Sequence, residues 1–254
     1  MLIDSHAHLQ DEQFADDLDS VLKNSWDSGL EKIVCIGYDY DSSRKAVELS
    51  TQYEQIYAVI GVHPHNAKDL NEEVIAKLFK LAKHGKVVAI GEIGLDYYRN
   101  LSTPEQQRKA FITQIKVAHE LNKPVVIHDR DAHQEVISII KKEKAGKNQG
   151  IMHCYSGHVP LALELMREGF FISIAGPVTY KNAKKTQEVA AKISISRLLI
   201  ETDCPYLAPE PKRGTRNEPA NVKYVAAKIA EIRRQTVEEI SYQTNLNIKN
   251  VLNI

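Results

Sequence analysis

Short apolar runs alternate along the whole chain with longer stretches that mix apolar and polar residues. The runs have strand length and are rich in Val and Ile, as buried parallel strands are. They occupy residues 2–4, 32–36, 56–61, 87–92, 125–128, 150–153, 171–174 and 198–201. The pattern therefore predicts eight strands that are buried on both faces.

The stretches between these runs have the apolar spacing of amphipathic helices. Helices are predicted over residues 17–28, 42–52, 72–83, 104–121, 133–142, 160–168, 184–192, 221–233 and 237–252. Two of them begin with a capping box, formed by Thr103 with Gln106 and by Thr236 with Glu239. Strands that alternate with helices over 254 residues predict an α/β fold, a single-domain (β/α)8 TIM barrel spanning residues 1–254.

Residues that can bind a metal lie at or just after the ends of several predicted strands. His6 and His8 are two positions apart, so their side chains point to the same side of a strand. The carboxyl ends of barrel strands meet on one face, and we expect the candidate ligands to converge there. The predicted metal ligands are His6, His8, Glu92, His128, His153 and Asp203. This set is too large for one tetrahedral ion with an open position, which predicts two ions bridged by a carboxylate.

Composition narrows the class of protein. Lys plus Arg and Asp plus Glu both number 33, so affinity for nucleic acid must come from local patches rather than net charge. Cys35, Cys154 and Cys204 lack paired spacing, which indicates a reducing compartment. The first residues lack the pattern of a signal peptide, and no apolar run is long enough to span a bilayer. We therefore expect a cytoplasmic protein without a membrane partner, and we infer no obligate protein partner.

Five motifs, distributed from the first strand to the last, carry a family resemblance. They are DSHAH at residues 4–8, GVHPH at 61–65, GEIGLDYY at 91–98, HCYSG at 153–157 and ETDCPYL at 201–207. Together they resemble the TatD family of metal-dependent deoxyribonucleases, and the third and fifth motifs are the most specific. The resemblance runs from Met1 to the C-terminus. It implies a barrel, a divalent-metal centre and hydrolysis of phosphodiester bonds, commonly by 3′-to-5′ exonuclease action on single-stranded DNA and sometimes RNA.

The resemblance also implies how the ligands divide between two ions. By matching position, one metal would take His6, His8, Glu92 and Asp203, and the other would take Glu92, His128 and His153. Glu92 would then bridge the two. Imidazole-rich sites suit zinc or manganese, whereas the family points to magnesium, so we expect an exchangeable Mg or Mn pair with Zn as the alternative.

Asp203 and His63 are candidates for the catalytic steps, in addition to the bridging Glu92. Asp203 could accept a proton from the attacking water, or it could serve as a ligand alone. His63 could contact the scissile phosphate or donate a proton, or it could be a structural residue fixed by Pro64. Glu201 could orient a ligand from behind or be a buried hydrogen-bonded carboxylate, and His65 is a weaker candidate than His63.

Basic residues near the predicted strand ends are candidates for phosphate contacts. The one shift in composition is residues 205–219, a proline-rich and basic loop that would overhang the active face of a barrel. The predicted substrate-binding residues are Arg130, Tyr155, Lys181, Lys212, Arg213 and Arg216. The basic side chains would hold phosphates, or they belong to ordinary solvated loops. The tyrosine would stack a base, or it is a half-buried residue. The expected partner is a nucleic acid, DNA with RNA as a further candidate.

Two other functions fit parts of the sequence. An amidohydrolase-type barrel that acts on a lactone, amide or ester shares the His-x-His start and the late Asp. Several such enzymes bridge their metals with a modified lysine after the fourth strand, where this chain has Glu92. A non-catalytic nucleic-acid-binding barrel is the other alternative. The complete ligand set argues against it, because unpaired ionisable groups are costly to hold in one cavity.

Overall fold

Eight parallel strands form one sheet in the computed structural model, which describes residues 1–254. The strands are β1 Leu2–Ala7, β2 Leu30–Ile36, β3 Ile56–Ile60, β4 Val87–Asp96, β5 Val125–Arg130, β6 Gly150–Met152, β7 Phe170–Ile174 and β8 Leu198–Ile200. Each strand pairs with the next one along the chain. The predicted (β/α)8 barrel is confirmed.

Helices connect the strands and cover the outside of the sheet. They are α1 Leu18–Asp27, α2 Tyr40–Gln52, α3 Glu72–Leu81, α4 Pro104–Glu120, α5 His133–Glu143, α6 Val159–Arg167, α7 Lys184–Lys192, α8 Val222–Arg233 and α9 Val237–Leu252. Every predicted helix is present, with bounds shifted by at most two residues. Both predicted capping boxes form, at Thr103 and at Thr236. None of the helices is both long and apolar enough to cross a membrane.

The barrel interior is a small apolar core that is separate from the larger core beneath the helices. It contains residues from all eight strands, among them Val34, Ile36 and Phe171. Side chains two apart on β2, Val34 and Ile36, share this interior, as the alternation of a strand requires. Val251 and Leu252 of α9 pack against the same cluster. The last helix therefore contributes to the barrel's own core.

Contacts from β1 to β7 and to the segment after β8 complete the barrel. The buried carboxylate of Asp4 accepts hydrogen bonds from the Thr202 backbone N–H, at 2.9 Å, and from the Thr202 hydroxyl, at 2.5 Å. The hydroxyl oxygens of Ser5 and Ser173 lie 3.0 Å apart in the interior. A single parallel bridge joins Ala7 and Cys204. The segment that follows β8 is thus held beside the end of β1.

Strand β4 is longer than the sequence pattern indicated. It was predicted to end at Glu92, but its pairing with β5 continues from Ile93 to Asp96, which pairs with Arg130. Glu92 therefore lies within the strand rather than at its end. The continued pairing adds four more residues to the strand, including the buried Asp96.

We predict that Thr202→Val destabilises the barrel by about 1–3 kcal/mol, because it leaves the buried Asp4 carboxylate without a hydroxyl partner while keeping the side-chain shape. Urea denaturation would measure the free energy of unfolding. Thr202→Ser is the matched control, since it keeps the hydroxyl and should stay closer to the parent. Equal stability of the Val and Ser variants would contradict this explanation of barrel closure.

Candidate metal centre

The structure brings the six predicted metal ligands together at the carboxyl end of the barrel. Glu92 lies at the centre of the group. Its Oε1 is 2.7 Å from His128 Nδ1 and 2.7 Å from His153 Nε2. Its Oε2 is 3.4 Å from His6 Nε2 and 3.8 Å from His8 Nε2. One carboxylate therefore faces His128 and His153 through one oxygen and His6 and His8 through the other.

Asp203 lies beside His6 and His8. Its Oδ1 is 3.4 Å from His8 Nε2 and 3.7 Å from His6 Nε2. The backbone places it there, because Asp203 N–H donates to the carbonyl of His6 at 2.9 Å. Asp203 adopts a left-handed conformation with φ 57°, a region that Asp enters more readily than most residues. The contact that completes the barrel thus also aims Asp203 at His6 and His8.

The electrostatics of the cluster keep two of its carboxylates ionised. Burial alone would raise the pKa of Glu92, but the charges of His153 and His63 and hydrogen bonds from His128 and His153 hold it well below its usual range. Burial would also raise the pKa of Asp203. The hydrogen bond with His8 and the charges of the nearby imidazoles bring that pKa below its ordinary value. Both carboxylates are therefore ionised at neutral pH.

Ring nitrogens in the cluster approach each other in a way that a shared cation would explain. The Nε2 atoms of His6 and His8 are 3.3 Å apart, and His128 Nδ1 is 3.2 Å from His153 Nε2. His8 Nδ1 lies 2.9 Å from the carbonyl of Ile36, which can only accept, so Nδ1 donates this hydrogen bond and Nε2 is the nitrogen that faces the cluster. Imidazole and carboxylate donors converging in this way fit divalent cations.

Three buried polar atoms beside the cluster have no partner. His6 Nδ1, His153 Nδ1 and Glu201 Oε2 have no hydrogen-bond partner within the protein. Three sets of side chains place their ligand atoms within 4.8 Å of one another: His6, His8 and Asp203; His6, His153 and Glu201; and His63, Glu92 and His128. The residues present are thus suited to divalent metal ions, although the assignment of individual ligands stays a prediction.

A second carboxylate, Asp96, supports the cluster from behind, and the sequence pattern did not identify it. Its Oδ2 lies 3.2 Å from His128 Nε2 and 2.8 Å from His65 Nε2. Burial acts upward on the pKa of Asp96, but hydrogen bonds from His128, His65 and the Arg99 backbone lower it. Asp96 is four residues after Glu92 on β4, a spacing that places both side chains on one face. This spacing was the signal for it in the sequence.

Glu201 supports the opposite side of the cluster. Its Oε1 accepts a hydrogen bond of 2.6 Å from the Cys154 backbone and lies 3.4 Å from His153 Nδ1. The side chain is fully buried. Glu201 is therefore a hydrogen-bonded buried carboxylate that also touches a candidate ligand, and its role in orienting that ligand stays a prediction.

His63 is buried at the rim of the cluster, where its Nε2 lies 3.5 Å from Glu92 Oε1. Burial lowers the pKa of its imidazole to about 4, despite the opposing charge of Glu92. The ring is therefore neutral at neutral pH. Its Nδ1 accepts a hydrogen bond of 3.1 Å from the His65 backbone, so the proton lies on Nε2, the nitrogen that faces Glu92.

Most of the predicted substrate-binding cations are exposed on loops at the carboxyl ends of the strands. Arg130 stacks on the ring of Tyr98, with its guanidinium carbon 4.1 Å from the ring centroid. Arg213 stacks on Tyr180 at 4.5 Å and lies 3.7 Å from Glu210. The remaining two exposed cations are Lys181 and Lys212. Their exposure leaves them accessible to a polyanion.

Two of the predicted substrate residues are occupied elsewhere. Arg216 donates two hydrogen bonds to the carboxylate of Asp17, at 2.8 and 2.7 Å, and another to Glu218 at 3.0 Å. It therefore ties the proline-rich loop to the start of α1, and its guanidinium is not free for a phosphate. Tyr155 is 4% exposed and donates its hydroxyl to the carbonyl of His158, so the ring offers no face to a base. The predicted substrate contacts of these two residues are corrected accordingly.

Known proteins with the same architecture are similar to this chain over its full length. A family model described as TatD related DNase matches residues 3–253. The chain is 48% identical over 254 residues to the uncharacterized metal-dependent hydrolase YabD of Bacillus subtilis (strain 168), with 100% of each chain covered. It is 33% identical to the 3′-5′ ssDNA/RNA exonuclease TatD of Escherichia coli (strain K12), covering 100% of this chain and 99% of that one.

A solved structure agrees with these matches. The crystal structure of YjjV, a TatD homolog from Escherichia coli K12, superposes with a TM-score of 0.94 at 29% identity, covering 100% of this chain and 98% of the other. The family match spans nearly all of the residues that form the barrel and its cluster of imidazoles and carboxylates. The chain therefore belongs to the family of TatD-related DNases.

Proposed function

We propose that this protein hydrolyses phosphodiester bonds of single-stranded nucleic acid from the 3′ end, using two divalent metal ions. The observation that carries the proposal is the position of Glu92, whose two oxygens each face imidazoles. The 33% identical relative named 3′-5′ ssDNA/RNA exonuclease TatD supports the choice of substrate and direction. DNA is the expected substrate, and RNA is a further candidate.

The residues of the cluster divide naturally into two ligand sets. One set would be His6, His8, Glu92 and Asp203, and the other would be Glu92, His128 and His153. Bound cations of this kind activate water, neutralise phosphoryl oxygens and assist departure of the leaving oxygen. Carboxylate oxygens suit Mg or Mn and the imidazoles also suit Zn, so we propose an exchangeable Mg or Mn pair with Zn as the alternative. Asp96 and Glu201 would keep the rings of His128 and His153 oriented.

Asp203 is the residue we assign to proton transfer. Its carboxylate is ionised at neutral pH and retains 13% side-chain exposure, more than the 4% of Glu92. A water molecule at the mouth of the barrel can therefore give its proton to Asp203 as its oxygen bonds to phosphorus and the bond from phosphorus to the leaving oxygen breaks. Geometry favours Asp203 over Glu92 for this step, because both oxygens of Glu92 are already surrounded by imidazoles.

We assign His63 to binding the scissile phosphate. Its ring is neutral and carries a proton on Nε2, which points into the cluster. A neutral N–H donor can stabilise the negative charge that grows on a phosphoryl oxygen without competing with the cations for a ligand position. Arg130, Lys181, Lys212 and Arg213 would contact the phosphates farther along the strand.

The cysteines support a location in the cytoplasm. Cys35, Cys154 and Cys204 are all free in the structure, and none is paired with another. Thiols persist in reducing compartments, whereas oxidising compartments favour disulfides. We therefore propose that the protein acts in the cytoplasm, where it would meet DNA and RNA.

The first test of the proposed function is Glu92→Gln. Loss of the central negative charge should weaken Mn²⁺ binding and lower metal-dependent hydrolysis of a labelled single-stranded oligonucleotide by more than about 100-fold, above the effect expected for a residue that only supports a ligand. Circular dichroism should remain that of the parent. Glu120→Gln, at the exposed end of α4, is the matched control and should keep parental activity.

The outcomes of this test separate the candidate functions. Near-parental Mn²⁺ affinity and hydrolysis in Glu92→Gln would contradict the central role of this residue. The same assay with lactone and amide substrates tests the amidohydrolase alternative. Faster turnover of either substrate than of the oligonucleotide would contradict the assignment as a nuclease.

The second test concerns the proline-rich loop. Lys212→Ala with Arg213→Ala should weaken oligonucleotide binding and flatten its dependence on salt by about 0.7 in log–log slope for each phosphate that the variant no longer neutralises. Arg216 is left intact because it pairs with Asp17. Lys80→Ala with Lys83→Ala removes two exposed cations at the end of α3 and serves as the control. Identical slopes for the parent and the loop variant would place the phosphate-binding residues elsewhere.

A further inference from the structure

Two tyrosines flank one side of the metal centre, and the steps proposed above do not use them. The ring of Tyr38 lies 5.7 Å from the ring of His8, and the ring of Tyr206 lies 6.1 Å from it, centroid to centroid. Tyr206 is 48% exposed although it is a large aromatic residue. Tyr38 is half-buried. An exposed ring such as that of Tyr206, beside a candidate ligand, is suited to contact with the substrate rather than to packing.

The ring of Tyr206 is held in place from two sides. Its hydroxyl donates to Asp11 Oδ2 at 2.9 Å, and its backbone N–H donates to the carbonyl of Asp203 at 2.9 Å. The distance from the ring to the proposed proton acceptor is therefore fixed by the chain itself. A ring that is already ordered loses little entropy when a flat ligand stacks on it.

Charge is distributed unevenly around the mouth of the barrel. The carboxylates of Asp11, Glu12 and Asp39 lie around the two tyrosines, on the loops that follow β1 and β2. Burial, followed by the charges of these three residues, raises the pKa of the Tyr38 hydroxyl. The exposed cation Arg130 ends β5, and the exposed cations Lys181 and Arg213 follow β7 and β8. A polyanionic backbone is attracted to the second region and repelled from the first.

We propose that Tyr38 and Tyr206 stack the terminal base of a nucleic acid strand, and that Asp11, Glu12 and Asp39 exclude any phosphate beyond that base. The strand would lie over the basic loops, cross the metal centre and end on the two rings. Stacking accepts any base, because every base has a π face. This inference rests on the proposed function and adds the reason why hydrolysis is confined to strand ends.

A comparison of two substrates on the parent and on variants of Tyr206 tests the stacking. The substrate is a single-stranded oligodeoxynucleotide that ends in thymidine or in an abasic residue at its 3′ terminus. For the parent, loss of the terminal base should lower kcat/KM about tenfold. Tyr206→Leu should show the lower value on both substrates. Tyr206→Phe, which keeps the ring but not the hydroxyl bond to Asp11, should retain most of the parental discrimination. Equal discrimination by Tyr206→Leu and the parent would overturn the stacking role.

A covalently closed circle tests the acidic residues, because a circle has no end and must place a phosphate beyond the base. The parent should hydrolyse a circular single strand far more slowly than the linear strand of the same sequence. Asp11→Asn with Glu12→Gln and Asp39→Asn should raise the circular-to-linear ratio of rates at least tenfold. Asn still accepts the capping hydrogen bonds that Asp11 and Asp39 receive at helix starts.

The control for this variant removes the same number of charges at the opposite end of the barrel. Asp27→Asn, Glu120→Gln and Glu231→Gln change exposed residues near the C-terminal ends of α1, α4 and α8. The circular-to-linear ratio of rates in this control variant should equal that of the parent. An unchanged ratio in the mouth variant, or an equal rise in the control, would overturn the role of the acidic residues.

Failure of this inference can be distinguished from failure of the proposed function. If the parent with Mg²⁺ or Mn²⁺ hydrolyses neither the linear nor the circular strand, both are overturned. If the parent hydrolyses the linear strand but loss of the terminal base lowers kcat/KM equally in the parent and in Tyr206→Leu, only the stacking proposal is overturned.

Discussion

The organisation of the site depends on one buried charge, the carboxylate of Glu92 among imidazoles. An ionised carboxylate inside a barrel is strongly unfavourable unless cationic or hydrogen-bonding groups surround it. Three of the neighbouring rings also have a polar group on their far side. The carbonyl of Ile36 holds His8, and the carboxylates of Asp96 and Glu201 lie behind the rings of His128 and His153. The result is a rigid set of donors directed at the volume around one carboxylate.

The barrel supplies this arrangement because its closure and its active face share the same residues. The backbone bond from Asp203 to the carbonyl of His6 joins the segment after β8 to β1, and it also brings a carboxylate to the histidine pair. Beneath the cluster, apolar residues from every strand and the end of α9 fill the interior. The apolar interior beneath the site thus stabilises the barrel, while the loops above the site remain free to bind a substrate.

The repeating pattern of the sequence predicted the fold well, because strand and helix periodicities are local properties. The same pattern predicted the meeting of His6, His8 and Glu92, since parallel strands must end on one face. It did not predict the partners of loop residues. Arg216 appears as one more cation in a basic loop until its pairing with Asp17, which is 199 residues away in the chain, is seen. Such pairings depend on how distant segments meet, and spacing along the chain carries no information about them.

The most direct test of the two-metal centre is anomalous X-ray diffraction from crystals of this protein prepared with Mn²⁺. We expect two manganese peaks at the mouth of the barrel, both within bonding distance of Glu92. One peak should contact His6 and His8, and the other should contact His128 and His153. Manganese bound elsewhere, with no peak beside Glu92, would contradict the central claim that this carboxylate organises a two-metal site.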